Sequence, residues 1–318
     1  MFDYDLQKPQ YSPPMQLAIL FMLTGVGFLV GGFVSLGIAS ASLHVPLEKL
    51  NNLLQNATDA NLLRLLQSIS AFFTMALPSF VFARLMNRNP FGYIGFNNAI
   101  SGKQVFIIVG IVFTGLILSG ALGQANEMIP LPKATEAYFE NLENRYNKAI
   151  LVIANMKSVK DYIISLIVIA LLPAIFEEML FRGALQPVMI NLTRNPLAGI
   201  LITSILFSAI HMSYYGFLPR LALGVIIGYV FYFSRNLWLS SITHFLYNAV
   251  GITQIYALSK QGPLTQDAMK DTLFPLYFGL LAALTLYVIF IFFRKECEVV
   301  VPTFNQHKRN NNNEEIFK

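Results

Sequence analysis

The sequence predicts an all-α, polytopic membrane helix bundle with about eight transmembrane helices, and three observations predict it. Of the 318 residues, 55% are hydrophobic and only 12% are charged, against about 25% charged in an ordinary soluble protein. Mean hydropathy is +0.56. The apolar residues gather into stretches near the ~20 residues that a helix needs to cross hydrocarbon. This composition excludes a soluble enzyme of ordinary design. It also excludes intrinsic disorder, which requires low hydrophobicity. The single cysteine, Cys297, excludes an internal disulfide framework and a cysteine-based zinc cluster. The net charge of +5 is small and scattered. It reads as topology in a lipid bilayer, with no nucleic-acid partner.

The apolar stretches run over residues 15–41, 62–84, 104–122, 162–190, 196–213, 217–234, 237–257 and 273–293. Pro90, Pro130, Pro132 and Asn195-Pro196 punctuate them. In the first stretch, Ala39-Ser40-Ala41 resembles a signal-peptidase site. The apolar run before it is too long for a signal core, and Asp3 and Asp5 precede it, so an uncleaved first helix is expected. Small-residue spacing at Gly27/Gly31 and Gly224/Gly228 would let helix backbones approach closely.

An even number of spans places both termini on one side. Arg84, Arg88, Lys103, Arg194, Arg235, Arg294 and Lys295 then share that side, which the positive-inside rule makes cytoplasmic. The division expected is a cytoplasmic segment 1–14, a membrane domain 15–295 and a disordered cytoplasmic tail 296–318, where Asn310 to Asn313 stand in a row. Residues 133–157 place Phe139, Leu142, Tyr146, Ile150 and Ile153 at helical spacing among charges. That is the pattern of an amphipathic helix at the interface, covering neighbouring spans or gating a substrate.

Ionisable side chains at mid-bilayer cost on the order of 3 kcal/mol or more, so they are functional candidates by default. The fourth stretch carries Glu177-Glu178-Met179-Leu180-Phe181-Arg182. Glu178 and Arg182 are i, i+4 and share a face on which they can pair. Glu177 lies about 140° around the helix from Arg182, at roughly 100° per residue, and lacks that local partner. A carboxylate left in a poorly hydrated site is suited to act as a general base. The fifth stretch ends Phe207-x-x-x-His211, and the seventh contains His244-x-x-x-Asn248, again i, i+4 pairs. Imidazole, carboxylate and amide groups on three nearby helices can position a water or bind a metal.

Other hydrolytic signatures are missing. The chain has no His-Glu-x-x-His, no Gly-x-Ser-x-Gly, no aspartate in the centre of a span and no phosphate-binding glycine loop.

The three motifs in this order resemble those of the CPBP family, the CAAX proteases and bacteriocin-processing enzymes, also called the ABI family of intramembrane proteases. The resemblance covers about residues 160–252. It implies a glutamate-dependent endopeptidase, possessing a membrane-protein or peptide substrate, in which Glu177 activates water. It further implies that His211 assists proton transfer, that His244 and Asn248 form the oxyanion site or orient the water, and that Glu178 and Arg182 hold the helix. Members are often named metalloproteases; if zinc were bound, His211 and His244 are the candidate ligands with a carboxylate. The alternatives are a non-catalytic bacteriocin-immunity or scaffolding protein of the same family, and a proton-coupled carrier. Short loops suit a bacterial plasma membrane. Straight helices would leave Glu177 and His211 at different depths, so at least one helix is expected to be broken or tilted, with Pro173 as a place for a kink.

Overall fold

The computed structural model describes residues 11–50, 59–153, 156, 158–262 and 274–316; residues 1–10 of the expected N-terminal segment lie outside them. Among the described residues there are helices and no strands. The helices that build the bundle are α1 (Pro13–Leu43), α2 (Ala60–Met86), the short α3 (Pro90–Tyr93), α4 (Gly102–Glu127), α5 (Lys133–Ile153), α6 (Val159–Thr193), α7 (Pro196–Ala209), α8 (Phe217–Ser234), α9 (Leu237–Ser259) and α10 (Leu276–Ile316).

Helices occupy all eight expected stretches. Six of them, α1, α2, α4, α6, α8 and the Leu276–Val300 part of α10, are long and apolar enough to cross a membrane. The other two depart for separate reasons. Helix α7 has 14 residues, about 21 Å at 1.5 Å per residue, which is short of the ~30 Å hydrocarbon core. Helix α9 has length enough, 23 residues, but it buries Ser240, Ser241, Thr243 and His244. Both are the helices that carry motif histidines, or end beside one.

The distribution of polarity is inside-out relative to a soluble protein. Phe33, Phe106, Phe113 and Tyr287 are largely exposed, whereas Glu178, Arg182, Gln186 and Asn236 are fully buried. Apolar surface of that extent is stable against lipid, and buried polar groups are kept where they find partners. This is an integral membrane protein. One apolar cluster joins α1, α2, α6 and α7 through Leu20, Phe82, Phe181, Leu185 and Phe207. A second joins α4, α8, α9 and α10 through Ile111, Val230, Leu239 and Phe293.

Prolines within long helices are accommodated by one device used three times. Leu77, Leu172 and Gln186 each donate their backbone N–H to the residue five before them, Phe72, Ile167 and Phe181. Each stands immediately before a proline: Pro78, Pro173 or Pro187. A proline ring collides with the carbonyl four residues earlier and offers no N–H. A widened π-turn moves that carbonyl aside, so the helix continues instead of breaking. The kink expected at Pro173 is this widened turn. The third of these π-turns, Met179–Leu185, carries Arg182.

The expected small-residue contacts are present. A Cβ on Gly27 would overlap the Phe73 carbonyl oxygen, one on Gly224 would sit 2.9 Å from Ser204 Cβ, and one on Gly228 2.8 Å from Ile200 Cγ2. Gly183 is tighter still in consequence, because its missing Cβ would meet Ile94 Cβ at 2.8 Å and the Ile94 carbonyl oxygen at 2.9 Å. Gly183→Ala is expected to lower stability by about 1–3 kcal/mol, the usual cost of overpacking. Thermal unfolding in detergent checks this, and a melting temperature at or above wild type would contradict it.

Helix backbone runs through the position at which a disordered tail was expected to begin and continues to Ile316. Glu296, the residue at which disorder was expected to start, pairs with Lys103 at 2.9 Å and accepts from Ser101 Oγ. Cys297 is buried in the α4–α10 contact, where Gln104 Nε2 donates to its sulfur. Charge pairing and packing against the start of α4 hold this turn in place, which a reading of asparagine-rich composition cannot register.

Candidate active site

The site is assembled at mid-height on α6. Counting from the left-handed turn at Arg194, Glu177 lies seventeen residues before it and His211 seventeen after. With α6 and α7 antiparallel and packed together, equal counts bring the two residues to similar depth. The expected mismatch in depth is therefore absent. The fourth helix extends to Thr193, which puts Glu177 near its middle, and α7 stops at Ala209 so that His211 begins a loop.

Glu178 is the hub. Its Oε1 lies 3.0 Å from Arg182 Nη1, with both side chains fully buried, so the i, i+4 pair read from the sequence is formed. The same oxygen lies 2.9 Å from His244 Nδ1. A carboxylate only accepts, so this contact places the proton on Nδ1 and leaves Nε2 as an acceptor. Nε2 lies 3.9 Å from Glu177 Oε2, beyond direct hydrogen bonding. Glu177 Oε2 is buried and has no hydrogen-bond partner in the protein. Glu178 Oε2 is likewise buried without a hydrogen-bond partner. The adjacent glutamates thus differ in that Glu178 Oε1 is engaged twice, by Arg182 and His244, whereas Glu177 Oε2 only faces His244 Nε2 across 3.9 Å.

Phe207 brings the three motifs together. It is buried, with its ring centre 4.8 Å from the Arg182 guanidinium carbon, 5.1 Å from the His211 ring and 5.8 Å from the His244 ring. His211 Nδ1 donates to the Phe207 carbonyl at 2.8 Å, again leaving Nε2 as an acceptor. Asn248 is half-buried one turn along α9 from His244, on the same face.

Arg182 and Gln186 form a ladder onto α8. Arg182 Nη2 donates to the Gly224 carbonyl at 3.1 Å and Gln186 Nε2 to the Gly228 carbonyl at 3.0 Å. The glycines that let the backbones approach also present the accepting oxygens.

Sequence reasoning missed the Glu178–His244 bond and the Gly224 acceptor, since neither leaves a periodic signal. It also passed over Arg220, which stands near the start of the sixth stretch with its guanidinium against Gly216 in the loop that follows His211. That residue had a usable signal, a cation within an otherwise apolar run.

The zinc alternative requires His211, His244 and a carboxylate to converge. Among the described residues, no group of three or more His, Cys, Asp or Glu side chains is placed to hold a metal. His244 and His211 each keep Nε2 as an acceptor, with Nδ1 held by Glu178 or the Phe207 carbonyl as in many metal-binding histidines, so the point against this set is the missing convergence alone.

Residues 159–250 match the family model described as type II CAAX prenyl endopeptidase Rce1-like. The match bears out the resemblance read from the three motifs and spans all of them. The family is one of peptidases. Comparison with curated proteins finds no match, and comparison with solved structures finds none either.

Proposed function

We propose, starting from this Rce1-like core, that the protein is a glutamate-dependent intramembrane endopeptidase that hydrolyses a peptide bond of a membrane-associated substrate. The observation that carries the reading is the pair of facing acceptors, Glu177 Oε2 and His244 Nε2, 3.9 Å apart. A water about 2.8 Å from both would donate one proton to each, with an angle of roughly 90° at its oxygen. Its lone pairs then face away from the acceptors, toward a scissile carbonyl. Glu177 takes the proton as attack proceeds. His244 orients the water, held in one tautomer by Glu178. Asn248, an amide with N–H groups to give, stabilises the oxyanion. His211, packed against Phe207 with ring centres 5.1 Å apart, assists proton transfer to the leaving amine. Arg182 holds Glu178 and acts through it.

A scaffolding or immunity role would not call for a carboxylate with a spare oxygen beside an oriented imidazole. A carrier would be expected to show inverted repeats with a broken helix in each half, and the polar residues here concentrate in α6 to α9. The alternation of helix direction, with Lys103 beside Glu296, supports placing both termini on the cytoplasmic side. We assign the protein to a bacterial plasma membrane, as a membrane domain 15–295 with a catalytic core at 160–252.

The name of the matching family directs the choice of substrate. Purified protein in lipid vesicles is expected to release the last three residues from a prenylated peptide ending in Cys-aliphatic-aliphatic-X, read by mass spectrometry. The unprenylated peptide, which lacks the anchor that concentrates substrate at the membrane, should be cut more slowly. No cleavage of either peptide would count against this substrate class. Cleavage of both at equal rates would remove the lipid from the recognition.

A further inference from the structure

We infer that the loop 94–99, together with Asn236, is a positioning device that sets the height of His244 against Glu178, so that Asn97 and Asn236 are positioning residues for the reaction. The inference rests on the peptidase reading above and deepens it.

The loop touches both helices of the pair. Ile94, fully buried, fills the notch left by Gly183 on α6. One residue on, the Gly95 carbonyl accepts the backbone N–H of Leu237, the first residue of α9, at 2.8 Å. Gly95 adopts φ +99°, a conformation that L side chains rarely take, and this lets the chain turn between the two contacts. Asn236 is fully buried. Its Nδ2 lies within hydrogen-bonding distance of Asn97 O at 3.1 Å, Asn97 Oδ1 at 2.9 Å and Ala99 O at 3.0 Å. In return, Asn97 Nδ2 donates to the carbonyls of Gly95 and Arg235. Asn236 Oδ1 meanwhile caps α9 by accepting from Trp238 N.

Irregular backbone beside the middle of a membrane helix is tolerated where it is buried in protein and its polar groups are satisfied. This knot satisfies them, and it fixes where α9 starts. His244 lies seven residues beyond Leu237, about 10 Å along α9, and Glu178 five residues before Gly183, about 7 Å along α6, at 1.5 Å per residue. Both distances are measured from the same loop. The loop therefore acts as a common origin for the carboxylate and the imidazole. Sliding α9 by one residue would carry His244 Nδ1 away from Glu178 Oε1 and turn the ring off its face.

The test separates this role from helix capping and from stability. Asn236→Ser keeps a good capping oxygen for α9 but loses the donors to Asn97 and Ala99. Asn97→Asp keeps its acceptor for Asn236 but loses the donors to Gly95 and Arg235, and it serves if Asn236→Ser folds poorly. Gly279→Ala crowds Ala121 at 2.7 Å in the α4–α10 contact, far from the loop in the chain, and supplies a comparison for lost stability alone.

Two readouts are taken per folded molecule: kcat and KM on the prenylated peptide, and 15N spectra of histidine-labelled protein, which has four histidines. Asn236→Ser and Asn97→Asp are expected to lower kcat between about tenfold and 100-fold, as misplacement by about 1 Å does, with KM little changed. The His244 Nδ1 resonance should move in both, and in Gly279→Ala neither readout should change. Unchanged kcat with an unmoved His244 resonance in the folded asparagine variants overturns the inference. If wild type cleaves nothing and the resonance still moves, the peptidase reading fails while the positioning role stands.

Discussion

Glu177→Gln is expected to leave the bundle folded and to remove peptide cleavage. The substitution keeps the side-chain volume. Because Glu177 Oε2 makes no hydrogen bond in the protein, it also removes no native hydrogen bond from that oxygen. What it removes is the ability to take a proton from water. General-base catalysis contributes about 100- to 10,000-fold, and the loss of turnover should reach that range. Glu178→Gln differs in kind. Glu178 Oε1 serves both Arg182 and His244, so this variant should lose stability and activity together, including in its folded fraction. The i, i+4 reading, with Glu178 occupied by Arg182 alone, would have left that folded fraction active. Purifying both variants, comparing thermal unfolding and then measuring cleavage per folded molecule decides the matter. Near-wild-type cleavage by Glu177→Gln, with an equally stable but inactive Glu178→Gln, would reverse the two roles.

Much of the architecture was legible because membrane spans declare themselves by length and apolarity. The stretches at 15–41, 104–122 and 217–234 correspond closely to α1, α4 and α8. Within one helix, spacing was equally informative. Glu178 and Arg182, or Phe207 and His211, meet because 3.6 residues make a turn. Between helices it was not, because the height of one helix against another is set by loops and by where chains turn. The depth of His211 depends on α6 running to Thr193 and reversing at Arg194. The meeting of His244 with Glu178 depends on a partly buried loop, residues 94–99, that is far from both in the chain. Asn97 and Asn236 carry no periodic signal and lie in no motif. Likewise, Glu296 and Cys297 read as the start of a polar tail until α4 supplies Lys103, Ser101 and Gln104 as partners.

Arg182→Ala is expected to be the most damaging substitution to stability in the site. The guanidinium is fully buried, ion-paired to Glu178, hydrogen-bonded to the Gly224 carbonyl and stacked on Phe207. Removing it leaves Glu178 as a buried carboxylate supported by His244 alone, and breaking such a pair from one side costs about 3–5 kcal/mol. Arg182→Lys should recover only part of that, since an ammonium cannot reproduce the planar fork that reaches Glu178 and Gly224 together. The double variant Glu178→Gln/Arg182→Met is more discriminating. With no charge left to strand, its stability should exceed that of Arg182→Ala, because replacing a whole buried pair is tolerated where breaking it is not. Its cleavage should stay low, because His244 has lost the carboxylate that fixes its tautomer and angle. Folded yield, melting temperature in detergent and turnover per folded molecule give the three numbers required. Wild-type yield and melting behaviour in Arg182→Ala would refute the pairing argument. Full turnover in a stable double variant would show that Glu178 contributes to the fold and nothing to His244.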